Sequence, residues 1–416
     1  MNIATLHQLF LESTGVSTDT RKVSTNNIFF ALKGENFNGN KFALDAINKG
    51  ASYAIVDEDE YSNHHRCIVV EDSLKTLQDL ASFHRSKLHC PVLGITGSNG
   101  KTTTKELISS VLSTQLKVVS TKGNLNNHIG VPLTILSADL DTEFLIVEMG
   151  ANHRKEIKFL SEIADIDFGI ITNIGKAHLE GFGSLQGIID TKKELYDYIG
   201  VKNGKLFVNK NDVLLQSLSK GMNKLEYSIN PINTSSPFAA IEFKGINIQS
   251  QLIGYYNCAN ISAACFIGDY FNISVSNLKL AIESYQPKNN RSQLSSTTQN
   301  NSLILDAYNA NPSSMLEAIT SFTNITHDKK VLILGDMLEL GNESTKEHQN
   351  IVDLLSEINS KVILVGKEFS KCSHQYTHFM TIEACKNWLK NLNISDSLIL
   401  LKGSRGIRLE ELQRFL

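Results

Sequence analysis

One stretch, VLGITGSNGKTTTKELISSVL (residues 92–112), constrains the fold more than any other part of the chain. A short apolar strand runs into a glycine turn, and a helical pattern follows from Lys101. This order creates an anion site, because the free N–H groups and the dipole of a helix start favour phosphate. The usual loop, G-x-x-x-x-G-K-[ST], has glycine where Ile95 stands here. The stretch predicts a nucleotide-binding α/β domain with an altered loop.

The loop residues have separable tasks. Gly97 and Gly100 supply backbone angles and a close approach that a Cβ would obstruct. Lys101 would reach the terminal phosphates, and the Thr102 hydroxyl would ligate Mg²⁺. The loop indicates a nucleotide but not a reaction, so a kinase and a GTPase remain open. The expected nucleotide contacts of the loop are Gly97, Ser98, Asn99, Gly100, Lys101, Thr102 and Thr103.

The 416-residue length predicts about three domains. Short apolar runs alternate with helical patterns, which favours parallel sheets with crossover helices. We expect a small N-terminal α/β domain (1–88), a central P-loop-type ATPase domain with a mostly parallel sheet (89–287) and a C-terminal doubly wound, Rossmann-like domain (288–416). The polar stretch 284–302 is interpreted as a linker.

Composition and charge exclude several classes of protein. The net charge of −3 gives no basic footprint for nucleic acid. The apolar runs fall far short of the ~18 residues that cross a bilayer, so we expect no membrane insertion, and the first residues do not resemble a signal peptide. The six cysteines form no C-x-x-C pair, which favours the reducing cytoplasm. We expect a monomer.

Three polar residues follow the apolar strands of the central block. Glu148 ends the strand FLIVE, where a carboxylate faces the nucleotide crevice and suits Mg²⁺. His178 comes just past the next strand, and Lys192 lies on a helical pattern beside Lys193. Taken alone, a single histidine is more often structural and a helical lysine is more often a solvated charge.

A GTP-binding switch protein is the rival from another class. The segment VNKND places Asn209, Lys210 and Asp212 as in the guanine-reading N-K-x-D pattern. Against that reading, the strict loop glycine is replaced by Ile95, and the second strand ends in Glu148 rather than a D-x-x-G switch. We therefore interpret VNKND as a strand end and a turn.

Four central motifs, ITGSNGKTT, EMGANHRKEI, TNIGKAHLEGFGS and KKELYDYI, resemble the Mur ligases, the ATP-dependent amide-bond ligases of bacterial peptidoglycan synthesis. The loop of that family is similar to T-G-[TS]-[NS]-G-K-[TS], so Ile95 is no defect. Motifs nearer the two ends resemble the member that joins D-alanyl-D-alanine to UDP-N-acetylmuramoyl-tripeptide; they are STDTRKVSTNNIFFALKGENFNGNKF, LDAYNANPSSM, LGDMLELG and LKGSRG.

The resemblance implies two Mg²⁺ sites. Thr102 and Glu148 would bind the first ion, and Glu148, His178 and Lys192 the second. The matching lysine of the family is carbamylated by CO₂, which turns a cation that repels Mg²⁺ into an oxygen ligand. A free lysine is mostly cationic near neutral pH. Lys193 is the neighbour most easily mistaken for it.

The resemblance also implies the remaining contacts. Arg291 would meet the transferred phosphoryl group, Asp306 the ribose, and Asn257 and Asn260 the base region, where Tyr256 stands in place of a frequent histidine. The substrate residues are Ser17, Thr20 and Arg21 for the uridine nucleotide, Asn126, Asn127 and His153 along the muramoyl-peptide channel, and Lys402, Ser404 and Arg405 for the dipeptide or ATP.

The implied reaction activates a carboxylate as an acyl phosphate, which the amine of the dipeptide then attacks. Positive groups must offset charge on the moving phosphoryl. Within the same superfamily, addition of one amino acid to a UDP-muramoyl precursor, or of glutamate to a folate, remains an alternative, and the third residue of the tripeptide is open. The residues expected to carry catalysis are Lys101, Glu148, His178, Lys192 and Arg291.

Overall fold

The computed structural model describes residues 1–232, 237–287 and 290–416. Three mainly parallel sheets follow one another along the chain, which confirms the predicted α/β class. The predicted boundary after residue 287 and residues 288–289 of the predicted linker fall outside the described part. Within the described ranges, no helix has the length and apolar character needed to cross a bilayer.

The first block carries a small parallel sheet. Its elements are α1 (Ile3–Leu11), β1 (Val16–Ser17), β2 (Ile28–Phe30), β3 (Lys33–Gly34), β4 (Phe37–Asn38), a 3-10 turn (Gly39–Phe42), α2 (Ala43–Asn48), β5 (Tyr53–Val56), a 3-10 turn (Asp59–Tyr61), β6 (Cys67–Val69) and α3 (Ser73–Arg85). The strand order is β1-β2-β5-β6, and β3 with β4 forms a separate hairpin. The helix predicted before residue 88 is α3.

The central block carries a six-stranded parallel sheet of order β12-β11-β10-β7-β9-β8. The elements are β7 (Val92–Thr96), α4 (Lys101–Leu112), β8 (Val118–Ser120), α5 (Gly130–Ile135), β9 (Phe144–Glu148), α6 (Glu156–Ala164), β10 (Phe168–Ile171), α7 (Leu179–Phe182), α8 (Leu185–Val201), β11 (Lys205–Asn209), α9 (Val213–Leu218), β12 (Lys224–Tyr227), β13 (Phe238–Phe243), β14 (Ile246–Ile253), α10 (Asn257–Tyr270) and α11 (Val275–Ser284). All four predicted strands are present, and β7 is central with every residue buried.

The third block carries a second six-stranded sheet, of order β15-β16-β20-β17-β18-β19. Its elements are β15 (Gln293–Ser296), β16 (Ser302–Asp306), α12 (Pro312–Asn324), β17 (Lys330–Gly335), a 3-10 turn (Gly341–Glu343), α13 (Ser344–Leu355), β18 (Lys361–Val365), a 3-10 turn (Phe369–Lys371), β19 (Thr377–Phe379), α14 (Ile382–Leu389), β20 (Leu398–Lys402) and two 3-10 turns (Arg405–Ile407 and Leu409–Phe415).

The linker prediction for 284–302 is wrong in part. Residues Gln293–Ser296 form the edge strand β15, which pairs antiparallel with β16. Its burial alternates between half-buried and exposed residues. An edge strand is held by backbone hydrogen bonds along one side, so it tolerates the polar sequence that suggested a linker.

Helix α3 joins the first block to the central one. It contacts α5 and α6, and the buried Arg85 at its end donates to the carbonyls of Ala164 and Asp165 at 3.1 and 3.0 Å. The same guanidinium pairs with Asp167 at 2.9 Å. Buried charged groups need such saturation to be tolerated, so this helix holds a fixed position against the central sheet.

Candidate active site

The phosphate loop connects β7 to α4, and no residue with a Cβ fits at its two glycine positions. Gly97 has φ +148° and Gly100 has φ +77°. A Cβ on Gly97 would lie 2.0 Å from Thr172 Oγ1, and one on Gly100 would lie 2.6 Å from Asn260 Oδ1. Gly100 caps the twelve-residue helix without a side-chain hydrogen bond, so the first backbone N–H groups stay available to an anion.

Lys101 folds back over the loop that it begins from. Its Nζ donates to the carbonyl oxygens of Gly97 at 2.7 Å and Ser98 at 3.4 Å. Burial lowers the pKa of Lys101, and the nearby Arg291 lowers it further, while Glu148 opposes both. The ammonium group therefore lies where a phosphate would replace weak carbonyl partners with anionic ones.

Glu148 ends β9 with its carboxylate under the loop and only 1% of the residue exposed. Oε1 accepts hydrogen bonds from Thr102 Oγ1 at 3.1 Å and from Asn126 Nδ2 at 2.8 Å. Oε2 is buried without a hydrogen bond to any described residue, 3.9 Å from Lys105 Nζ. An orphaned carboxylate oxygen beside a threonine hydroxyl is a donor set that fits a hard cation.

Lys192 and its neighbour Lys193 have opposite environments. Lys192 is 2% exposed, and its Nζ lies 5.5 Å from the centre of the Phe182 ring, with no hydrogen bond or ion pair to the part of the chain that is described. Burial, with a contribution from Lys101, lowers the pKa of Lys192 to about 7. Lys193 instead pairs with Asp197 on the outer side of α8.

His178 lies just before the short helix α7, in a left-handed conformation with φ +53°. Its ring lines the main cavity. Nδ1 is in direct contact with Oε2 of Glu339 from the third block. The contact with His178 lowers the pKa of Glu339. Sequence reasoning identified the histidine but not this carboxylate.

Asn257 and Asn260 hydrogen-bond inward. Asn257 Nδ2 donates to Ile253 O at 2.8 Å, and Asn260 Nδ2 donates to Asn257 Oδ1 at 2.8 Å. Thr104 Oγ1 donates to Asn260 Oδ1 at 3.0 Å, which ties α10 to the phosphate helix α4. Both residues line the cavity. Next to them, the hydroxyl group of the half-buried Tyr256 forms a hydrogen bond with Ser292 Oγ at 2.8 Å.

The third block brings three of the predicted charged residues to the same cavity. The Arg291 guanidinium stacks 3.7 Å from the centre of the Tyr308 ring, and its Nε is buried without a hydrogen-bond partner in the described ranges. Lys402 Nζ pairs with Asp306 Oδ2 at 2.6 Å. Ser292 N donates to Asp306 Oδ1 at 3.3 Å. The Tyr308 ring therefore covers one face of the Arg291 guanidinium, and the buried Nε can still donate to a ligand.

One cavity of about 700 Å³ collects most of the predicted residues. Glu317 also lines it. No three His, Cys, Asp or Glu side chains of the described chain are close enough to bind a metal unaided. The predicted residues that line the cavity are Ser98, Asn99, Gly100, Lys101, Thr102, Thr103, Asn126, Asn127, Glu148, His178, Asn257, Asn260, Arg291, Asp306 and Lys402.

The remaining predicted residues do not line this cavity. Arg21 is largely exposed and pairs with Asp19 in the first block; Ser17 Oγ donates to Asp19 O at 3.0 Å. Ser404 Oγ accepts from Leu338 N at 2.9 Å, a structural bond. The predicted residues outside the cavity lining are Ser17, Thr20, Arg21, Gly97, His153, Lys192, Ser404 and Arg405.

Contacts between the second and third blocks are the main feature that sequence reasoning missed. Asn311 Nδ2 donates to Asn99 Oδ1 in the phosphate loop at 2.7 Å. Lys176 Nζ pairs with the buried Glu347 at 2.6 Å. The motifs containing Asn311 and Lys176 were recognisable, but nothing in their spacing indicates which residues of two distant segments meet.

The segment VNKND ends β11 and turns into α9, as interpreted. Asn209 Oδ1 accepts from Asn211 N at 2.9 Å, and Asp212 Oδ1 caps α9 by accepting from Leu215 N at 3.0 Å. Asn209 and Asp212 also line the cavity. Their side-chain oxygens nevertheless serve the local turn.

Three family models match in chain order. They are the Mur ligase family catalytic domain over residues 12–85, the Mur ligase middle domain over 95–268 and the Mur ligase glutamate ligase domain over 290–405. These matches agree with an architecture of three domains. The predicted boundaries after residues 88 and 287 stay predictions.

Curated relatives and solved structures extend over the whole chain. The UDP-N-acetylmuramoyl-tripeptide–D-alanyl-D-alanine ligase of Bacillus subtilis is 36% identical, over 96% of this chain and 92% of that protein. The Escherichia coli enzyme of the same name is 31% identical over 96% and 93%. The structure of MurF ligase from Thermotoga maritima in complex with ADP is 26% identical, covers 98% of this chain and 97% of that one, and gives a TM-score of 0.86. The chain belongs to the Mur ligase family.

Proposed function

We propose that this chain joins D-alanyl-D-alanine to UDP-N-acetylmuramoyl-tripeptide at the expense of ATP, which gives ADP, phosphate and the pentapeptide precursor of peptidoglycan. The observation that carries the proposal is the shared cavity. It combines a phosphate loop from the central domain with Arg291, Asp306 and Lys402 from the third. Whole-length relatives bear the name of this ligase, and one related structure contains ADP. The product would serve cell-wall synthesis and cell shape.

The three domains divide the substrates in this proposal. Residues 1–88 bind the uridine nucleotide, 89–287 bind ATP, and 288–416 bind the dipeptide and part of ATP. The substrate roles of Thr20, Arg21 and His153 belong to the proposal as well; Arg21 and His153 are exposed enough to meet a ligand, with side chains 85% and 71% accessible. All six cysteines are free thiols, which supports a cytoplasmic location.

Charge explains how the cavity would activate a carboxylate. The peptide carboxylate and the γ-phosphate of ATP repel each other, so cationic groups must lie beside both. Burial lowers the pKa of Lys101 and the nearby Arg291 lowers it further, and an anion between the two cations relieves that repulsion. The carboxylate would attack the γ-phosphorus and ADP would leave. The dipeptide amine would then attack the acyl phosphate and expel phosphate.

Magnesium fits the residues at the loop. Thr102 Oγ1 and the orphaned Glu148 Oε2 would hold it, with Asn126 fixing the other carboxylate oxygen. A bound Mg²⁺ supplies charge neutralisation on the phosphate oxygens. His178 faces the same cavity and would serve a second ion. The chain itself holds these oxygen atoms in fixed positions, shielded from water, before ATP binds.

We propose in addition that Lys192 is carbamylated. Its Nζ is buried and has no partner in the described ranges, and a pKa of about 7 leaves much of the amine neutral at physiological pH. A neutral amine is the form that adds CO₂, and loss of a proton completes the carbamate. The product would place an anion where Lys101 now imposes like charge.

A substrate panel with phosphate release and product mass as readouts tests the main proposal. The full mixture of ATP, Mg²⁺, the UDP-linked tripeptide and D-alanyl-D-alanine should give ADP and a UDP-linked pentapeptide. Omission of either the UDP-linked tripeptide or D-alanyl-D-alanine should abolish turnover, and GTP should replace ATP poorly. Turnover with a single amino acid or with a folate would favour a different ligase of the superfamily. ADP without pentapeptide would refute the proposal.

A further inference from the structure

The third domain reaches the histidine of the central domain through one short segment. Glu180 N donates to the carbonyl of Glu339 at 3.2 Å, and α7 contacts the 3-10 turn that begins at Gly341. A Cβ on Gly341 would approach Glu180 Cα to 3.4 Å, and its φ is +53°. The two backbones therefore lie against each other at this point, which fixes the distance between their side chains.

The backbone is strained on both sides of this contact. His178 has φ +53° and Glu339 has φ +64°, a conformation that residues other than glycine rarely adopt. Such conformations persist where the surrounding structure imposes them, and they cluster where a side chain must be aimed. Here the two strained residues are the two partners of one contact, His178 Nδ1 and Glu339 Oε2.

The pair leaves the other ring nitrogen free. His178 Nε2 makes no hydrogen bond to any residue that the structure describes, and the ring lines the cavity. A histidine that ligates through one nitrogen generally donates from the other to a carboxylate, which fixes its tautomer and ring orientation. Glu339 is 56% exposed, so an ion pair here contributes little to stability.

We propose that Glu339 is a positioning residue for His178. The carboxylate is carried by the third domain and the ring by the central domain, so Nε2 is presented to the cavity only while the two domains are in contact. This inference rests on the proposed ligase function of the cavity. Contact between the two domains then fixes the orientation of the His178 ring.

The test compares Glu339→Gln, Glu339→Asp and Glu339→Ala with Glu343→Gln. Glu343 is a matched control, because it lies in the same segment, is half-exposed and pairs only with Lys346 within the described chain. Glu339→Gln should lower kcat by about 10- to 100-fold, the usual cost of removing such a partner. Glu339→Asp should retain part of the kcat that Glu339→Gln loses, and Glu343→Gln should have the same kcat as the wild-type enzyme.

A readout on the ligand-free protein separates positioning from general damage. In full-length protein labelled with ¹⁵N-histidine, the His178 signals are assigned by their loss in His178→Asn. The unchanged protein should show one fixed tautomer with the proton on Nδ1, and Glu339→Gln should shift the signals towards the Nε2–H form. In the double variant His178→Asn/Glu339→Gln, the loss of kcat should be smaller than the product of the losses in the two single variants.

The outcomes separate the proposed ligase function from the positioning role of Glu339. If the wild-type enzyme forms no pentapeptide, the proposed function is wrong. If it forms pentapeptide and Glu339→Gln retains kcat within about twofold, the positioning role is wrong. Unaltered His178 signals in Glu339→Gln would refute it independently of activity, and so would fully multiplicative losses in the double variant.

Discussion

At the scale of the residue, Lys192 and Lys193 show how burial divides two identical side chains. They are adjacent in sequence, but one Nζ lies under Phe182 without an ion-pair partner in the described chain and the other pairs with Asp197. Burial, with a contribution from Lys101, lowers the pKa of Lys192 to about 7. The chemistry proposed for this helix therefore belongs to Lys192.

We expect Lys192→Ala to lose at least about 100-fold in ligation rate, because it removes an anionic ligand beside the cavity. Lys193→Ala should retain normal activity. Added bicarbonate should leave Lys192→Ala unchanged. Under ¹³C-bicarbonate, the unchanged protein should give a carbamate carbon signal by NMR, and Lys192→Ala should not. A fully active Lys192→Ala, or the same signal in both proteins, would rule out the carbamate.

Gly100 offers a second test at this scale, with Gly221 as its control. Both have φ near +77°, but a Cβ on Gly221 would meet nothing within 4 Å, whereas one on Gly100 would meet Asn260 at 2.6 Å. Alanine should cost each about 1 kcal/mol of stability through backbone strain. Calorimetric titration should show that only Gly100→Ala loses ATP affinity. Equal losses of ATP affinity in Gly100→Ala and Gly221→Ala would show that backbone strain, rather than the clash with Asn260, causes the loss.

At the scale of the element, apolar runs were the most informative part of the sequence. Buried parallel strands such as β7, β9 and β20 must be apolar on both faces, so they were visible as uninterrupted runs. The edge strand β15 carries no such signal, because its pairing with β16 is made by the backbone. The contact of Asn99 with Asn311 spans 212 positions, and no local pattern encodes a pairing of that range.

The packing of α1 on α3 places two histidines in a buried pair. His7 Nε2 lies 3.0 Å from His84 Nδ1, and His84 Nε2 lies 2.9 Å from Ala138 O in the central domain. Burial lowers the pKa of each; Lys87 adds to the effect at His7, and Asp139 opposes it at His84. Both histidines are therefore neutral in the folded state near neutral pH.

Acid should weaken this packing. Below the unfolded pKa of about 6.5 the unfolded chain binds protons that the folded pair resists, so stability falls as pH falls. Between about pH 7.5 and 5.5 the pair should cost ~1–3 kcal/mol in the free energy of unfolding. Denaturant unfolding should show a smaller pH slope in His84→Gln. An equal slope would place the acid sensitivity elsewhere.

At the scale of the whole molecule, the cavity proposed as the active site is lined by residues of two domains. The phosphate loop, Glu148 and His178 belong to the central domain, whereas Arg291 and Glu339 belong to the third. Catalytic competence then depends on how often the domains are in contact, since apparent affinity scales with the fraction of competent molecules. A contact remote from the chemistry should therefore affect KM more than kcat.

Lys176 and Glu347 form such a contact. Glu347 is 4% exposed, and the pair joins the two domains at 2.6 Å. Lys176→Met leaves a buried carboxylate without its cation, a loss that exceeds the value of the pair itself. We expect KM for the dipeptide to rise roughly fivefold, which corresponds to ~1 kcal/mol, with kcat nearly unchanged and a larger radius of gyration by X-ray scattering.

The double variant Lys176→Met/Glu347→Gln identifies the cause. Because the amide carries no charge, it removes the penalty that the single variant creates, and both KM and the radius of gyration should return towards the values of the unchanged protein. Lys158→Met serves as the control, since Lys158 pairs with Glu162 on the exposed side of α6. If the double variant were as impaired as Lys176→Met, the unpaired buried charge would not be the cause, and the effect would come from the loss of the Lys176 side chain itself.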